Sequence, residues 1–153
     1  AGSNHACALT SAGGIKCWGI GYDSLVTLYS SGYKAISSGD DFSCAINDAG
    51  GIKCWNSPSS PTSFAYDLSE FQSGVIAISG GNSHACAMTS VGVKCWGGNT
   101  GSNLPVDVSG LESGVLAIAG GANANCAVMT NGILKCWEVN NPITPVDVSG
   151  IQF

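Results

Sequence analysis

The 153-residue chain contains no arginine: its five basic residues are all lysine, and charged residues make up only 10% of it. Recognition of phosphates draws on clustered cations, through bidentate guanidinium contacts and counterion release. A chain of net charge -5 with scattered lysines is therefore a poor nucleic-acid binder. The same shortage argues against attachment to an anionic bilayer, and no apolar run approaches the roughly 20 residues that span one. No asparagine stands in an Asn-X-Ser/Thr sequon. No leader is recognisable in Ala1-Gly2-Ser3-Asn4-His5, which already open the first repeat, so the chain is expected to be either mature after processing or a fragment. No nucleophile elbow and no phosphate cradle is visible, and the 22 glycines are spread out as turns. These absences lead to the expectation of a non-enzyme with no cofactor and no bound metal.

What is present is one phrase stated four times: a cysteine, seven or eight residues, then Lys-Cys-Trp. Cys7 to Cys17-Trp18, Cys44 to Cys54-Trp55, Cys86 to Cys95-Trp96 and Cys126 to Cys136-Trp137 use every cysteine and every tryptophan. Repetition at about 40 residues marks a solenoid, propeller or array, in which a unit buries its apolar face only by stacking on a neighbour. The units are expected at roughly 1–38, 39–80, 81–120 and 121–153, in a single domain.

Within a unit, Cys7-Ala8-Leu9-Thr10 and Gly14-Ile15-Lys16-Cys17 read as two strands around a short turn, with Gly13 in the left-handed region. Gly50 and Gly132 take that place in the second and fourth units, and the third connects through two residues. This register sets each first cysteine opposite its second, at a separation a disulfide spans. Of the 105 ways to pair eight cysteines, only pairing within each unit repeats with the units. Buried free thiols and a metal site are the alternatives, and the spacing does not favour zinc. Four such bonds imply an oxidising, extracellular or cell-surface location.

A further strand precedes each later hairpin (33–37, 75–79 and 115–119), and another follows it, clearest at 104–110 and 144–150, where Pro105 and Pro145 suit an outer edge. Small residues at one edge and proline at the other describe an all-β propeller of about four four-stranded antiparallel blades, with one end blade incomplete. The pattern resembles the repeat of the regulator of chromosome condensation family. It does so through Val115-Leu116-Ala117-Ile118-Ala119-Gly120-Gly121, Gly81-Asn82-Ser83-His84-Ala85-Cys86-Ala87-Met88-Thr89 and Gly14-Ile15-Lys16-Cys17-Trp18-Gly19. The cysteine-bearing form is similar to repeats of secreted bacterial members. The resemblance implies a propeller, seven-bladed in the type member, and a binding platform rather than one activity. A fragment of a larger propeller, a closed four-bladed ring and a subunit completed by strand donation each fit.

Trp18, Trp55, Trp96 and Trp137 are assigned to the core between blades, with carbohydrate stacking as the other reading. Lys16, Lys53, Lys94 and Lys135 share their side and are expected to lay stems over apolar surface. His5 and His84 recur at a position held elsewhere by Phe42 and Ala124, which points to packing. Asp67, Asp107 and Asp147 are read as turn caps, and Asp40-Asp41 as the one pair peculiar to a single unit. The function expected is a secreted binding scaffold presenting loops 19–24, 56–63 and 97–103 to a protein partner. The alternatives are a structural subunit assembling head to tail with copies of itself, and a glycan-binding lectin.

Overall fold

A computed structural model describes residues 1–56, 68–98, 100, 104–139 and 143–151. The chain folds into consecutive antiparallel sheets. The first contains β1 (His5–Leu9), β2 (Ile15–Gly19) and β3 (Tyr22–Tyr29); the second contains β4 (Tyr33–Ser38), β5 (Phe42–Asn47) and β6 (Ile52–Asn56). The third contains β7 (Val75–Gly80), β8 (His84–Thr89), β9 (Gly92–Gly97) and β10 (Val106–Asp107). The fourth contains β11 (Val115–Gly120), β12 (Ala124–Met129), β13 (Leu134–Glu138) and β14 (Val146–Asp147). Among the described residues the first blade has no inner strand, so β1 is its edge. The second, third and fourth sheets each take as their first strand the segment that the sequence repeat places at the end of the preceding unit. Among the described residues no helix is long and apolar enough to cross a membrane.

The hairpin register follows from the turns. Gly13, Gly50 and Gly132 all sit at positive φ, in the left-handed region closed to most side chains. They place Cys7 opposite Cys17, Cys44 opposite Cys54 and Cys126 opposite Cys136. In the third blade Thr89 pairs directly with Gly92, which sets Cys86 opposite Cys95. All four pairs are bonded, with Cα atoms 4.0–4.1 Å apart. Outer strands β10 and β14 are two residues long, just past Pro105 and Pro145, which donate nothing to a ladder. Each of the inner strands β4, β7 and β11 shifts register at its second residue, Lys34, Ile76 or Leu116. A bulge there ejects the extra side chain, which explains why Ile76 and Leu116 are exposed.

One sheet leans on the next with opposite faces. The disulfide face of the second blade (Cys44, Ile46, Phe71) receives Trp96, Ala85 and Ala87 of the third. The disulfide face of the third (Cys86, Met88, Val93, Cys95, Leu111) receives Trp137, Ala127 and Met129 of the fourth. Between the first and second, Cys17 and Ile15 meet Ala45 and Trp55. The first blade's Trp18 is the correction to the inter-blade assignment: it is 42% exposed, because among the described residues no blade stacks on that face, while Trp96 is 0% and Trp137 3% exposed. Since neighbouring strands are antiparallel, the turns after the inner strands and the loops after the third strands share one end of the stack. The disulfide-hairpin turns lie at the other.

Candidate binding surface

The shared end is built on glycines at one repeat position, Gly2, Gly39, Gly81 and Gly121. At Gly2, Gly39 and Gly81 a Cβ would strike the ring of His5, Phe42 and His84 respectively, and also the carbonyl oxygen of Gly39, Gly81 and Gly121 in the next blade. These glycines are required by space, since each ring lies on a bare Cα at the point where two backbones converge. Gly121 has no such neighbour, because Ala124 replaces the ring, and its nearest contact is the Ala124 oxygen at 3.6 Å. Gly81→Ala is accordingly expected to lower stability by about 1–3 kcal/mol, as overpacking does. Gly121→Ala should change it by less than about 0.5 kcal/mol. Urea denaturation of the two variants checks the contrast.

The turns are joined around the axis by backbone bonds. Ser3 N–H donates to Asp40 C=O (3.3 Å), Asp40 N–H to Asn82 C=O (3.0 Å) and Asn82 N–H to Ala122 C=O (2.9 Å). Beneath them, each ring position of one blade meets a matching residue of the next. His5 Nε2 lies 2.9 Å from Ser43 Oγ, which also bonds Ser38 Oγ at 2.8 Å. Phe42 packs in the cluster that holds Ala85, and His84 Nε2 donates to Asn125 Oδ1 at 3.2 Å. Polar faces polar and apolar faces apolar, as buried groups require.

Burial pushes His84 below the ordinary imidazole pKa, against a raising contribution from the Asn125 bond. Burial also lowers His5, with the terminal amine adding to it, against Asp41, the Phe42 backbone and Asp40. An imidazole depressed on folding binds fewer protons in the native state, so stability rises with pH through this range. The contribution is whole above the unfolded value near 6.5 and is lost as pH falls through the folded value. Thermal melts from pH 7.5 to 4.5 should show a fall beginning below about pH 6.5, diminished in His84→Gln.

The rims of Gly2, Ser3, Asp40, Gly81, Asn82 and Ala122 enclose an axial depression of about 280 Å³. Asp40 lines this depression and Asp41 follows it in the same turn, whereas Lys16, Lys53, Lys94 and Lys135 belong to third strands and Lys34 to the far end of an inner strand. The expected loop 19–24 is corrected to a turn at residues 20 and 21, since Gly19 ends β2 and Tyr22–Ser24 open β3; it lies on the same end, with Ile20 exposed and its N–H bonded to Asn4 C=O. Most of loops 56–63 and 97–103, together with Asp67, falls outside the described residues. Among the described residues no group of three or more His, Cys, Asp or Glu side chains is arranged so that it could hold a metal ion.

Lys53 and Lys94 span the joints between blades, whereas Lys135 pairs within its own. Lys53 Nζ sits 4.9 Å over the Tyr29 ring of the preceding blade. Lys94 reaches Glu70 of the preceding blade (3.4 Å) and Asp107 of its own (3.0 Å). Lys135 bonds Asp147 at 2.6 Å. Asp107 and Asp147 thus pair across strands instead of capping turns, since each lies opposite a lysine in the ladder. Sequence reasoning missed Tyr29, Phe71 and Leu111, which hold one repeat position before the inner strand and pack near the next blade's tryptophan. Tyr29–Trp55 and Phe71–Trp96 ring centroids are 6.0 and 5.4 Å apart. Their shared offset from the following glycine was the available signal.

Residues 1–24 match the sequence model of the Regulator of chromosome condensation (RCC1) repeat. No curated protein matches the chain. Among solved structures it is similar to Prp20p from Saccharomyces cerevisiae, studied for its binding properties to Gsp1p and histones. The identity is 15% and the TM-score 0.75, over 97% of this chain and 50% of that one. It is also similar to the CRINKLY WD40 ectodomain of the Arabidopsis thaliana receptor kinase ACR4, at 21% identity and TM-score 0.69, over 100% and 54%. A third is the computationally designed Ika4 protein, at 20% identity and TM-score 0.58, over 90% and 86%. The chain spans about half the length of the first two. Residues 1–24 carry the repeat match, one sheet topology recurs down the chain, and nearly all of it superposes on these structures, so its fold is that of β-propeller blades.

Proposed function

We propose that the chain is a non-catalytic, extracellular protein-binding scaffold whose contact surface is the end bearing the axial depression. The observation that carries this reading is charge placement: Asp40 lines the depression, Asp41 follows it in the same turn, and every lysine belongs to a strand rather than to these turns. Such a surface attracts cationic protein segments and repels nucleic acid. Prp20p, which shares the architecture, has binding properties to histones, and histones are basic. The four disulfides support a place outside the reducing cytosol. The test is titration of the chain with an oligolysine peptide and an oligoglutamate peptide, alongside a glycan array. Saturable, salt-sensitive binding of oligolysine, weakened several-fold in Asp40→Asn/Asp41→Asn, is expected. Binding of glycans alone, or oligolysine binding untouched by that variant, overturns it.

A second reading, assembly from copies of the chain, is favoured by the two end faces of the stack, which are apolar and uncovered in this structure.

A further inference from the structure

The two uncovered faces are the two halves of one joint that the molecule makes three times within itself. On the first blade Trp18 pairs with Ala6, and Lys16 with Ala8. The equivalents on the third blade, Trp96, Ala85 and Ala87, are fully buried, whereas Ala8 and Trp18 are exposed. On the fourth blade Val146, Cys136, Cys126 and Ala119 are cross-strand neighbours, as are Leu134, Val128 and Ala117. Their counterparts on the third blade, Cys86, Met88, Val93 and Cys95, are buried under Trp137. Here Val146 is 61% exposed and Ile151, at the position of Phe71 and Leu111, is 43% exposed. The turn ladder stops in step, at Ser3 C=O on one side and Ala122 N–H on the other.

Resting on the assembly reading, we infer that a second copy of this chain docks head to tail, its Trp18 face seated on the Cys126–Cys136 face as Trp96 and Trp137 are seated within the chain. The joint is made by packed side chains, with Trp18 entering between the disulfide and Ile151, rather than by exchange of a strand at the edge of β1. Ala124 of one copy then meets Ala6 of the next, apolar against apolar, in keeping with the Phe42 and Ala85 pairing. Because nearly all of the chain superposes on half of larger propellers, its blade-to-blade turn is that of a ring about twice its length. Two copies therefore close on each other through two identical joints.

Analytical ultracentrifugation of the wild-type chain, Trp18→Glu, Val146→Glu and an equimolar mixture of the two variants tests this. Both substituted residues are exposed, so each variant should fold, with circular dichroism as the check. The expected result is a wild-type dimer, monomers for each variant alone, and recovery of a weaker dimer in the mixture, since blocked head and blocked tail still leave one good joint. A wild-type dimer that survives Trp18→Glu overturns the packed joint and leaves assembly by strand exchange. A wild type that stays monomeric at millimolar concentration overturns both. Loss of association in Trp18→Glu without recovery in the mixture overturns the head-to-tail geometry. Wild-type polymers that Trp18→Glu dissolves uphold the joint and overturn two-copy closure.

Discussion

Trp96→Ala is expected to lower stability by about 3–5 kcal/mol, the range for truncating a buried aromatic. Trp18→Ala in dilute solution should change it by less than about 0.5 kcal/mol. The two tryptophans follow the same Lys-Cys pair and occupy the same strand position. Only their neighbours differ. Trp96 is wedged against Phe71, with ring centroids 5.4 Å apart, in a cluster that also holds Cys44 and Ile46. Trp18 has water on that side. Trp96→Phe should lose less than Trp96→Ala, because it keeps the ring contact and removes an indole N–H that has no hydrogen-bond partner among the described residues. Chemical denaturation followed by circular dichroism gives all three values.

The second large effect comes from the staples. Removing Cys44–Cys54 as a double alanine variant should lower stability by at least about 2.5–3 kcal/mol, the chain-entropy contribution of closing a short loop. Cys126–Cys136 closes a loop of the same separation, so its entropic part is equal. Cys44 is 1% exposed and packed against the third blade, whereas Cys126 and Cys136 lie on the half-open end face. The Cys44–Cys54 variant should therefore be the less stable of the two, the difference measuring packing alone. A reversed order would contradict the stacking direction. Intact mass before and after reduction should differ by eight hydrogens.

Most of the blade was legible in the sequence because its determinants are local. Gly13, Gly50 and Gly132 fix the turns, the turns fix the register, and the register pairs the cysteines. The propeller resemblance added how sheets are arranged around an axis. What stayed hidden was set between units. Ser43 and Asn125 look like ordinary strand residues until His5 and His84 of the preceding blade are placed beside them. Asp107 and Asp147 read as caps because they stand before turns, yet each lies opposite a lysine. Trp18 is indistinguishable from Trp96 in its own repeat, and its exposure is decided by what stands next to it. The binding surface was legible as loops, but the depression lined by Asp40 emerges only when residues 1–3 and the three turns after the inner strands converge.

Hydroxyl-radical footprinting with mass-spectrometric mapping of the four tryptophans tests most directly that blades stack tryptophan face on disulfide face. In dilute solution Trp18 should oxidise readily while Trp96 and Trp137 stay protected. Reactivity of Trp96 and Trp137 equal to that of Trp18 would contradict the stacking.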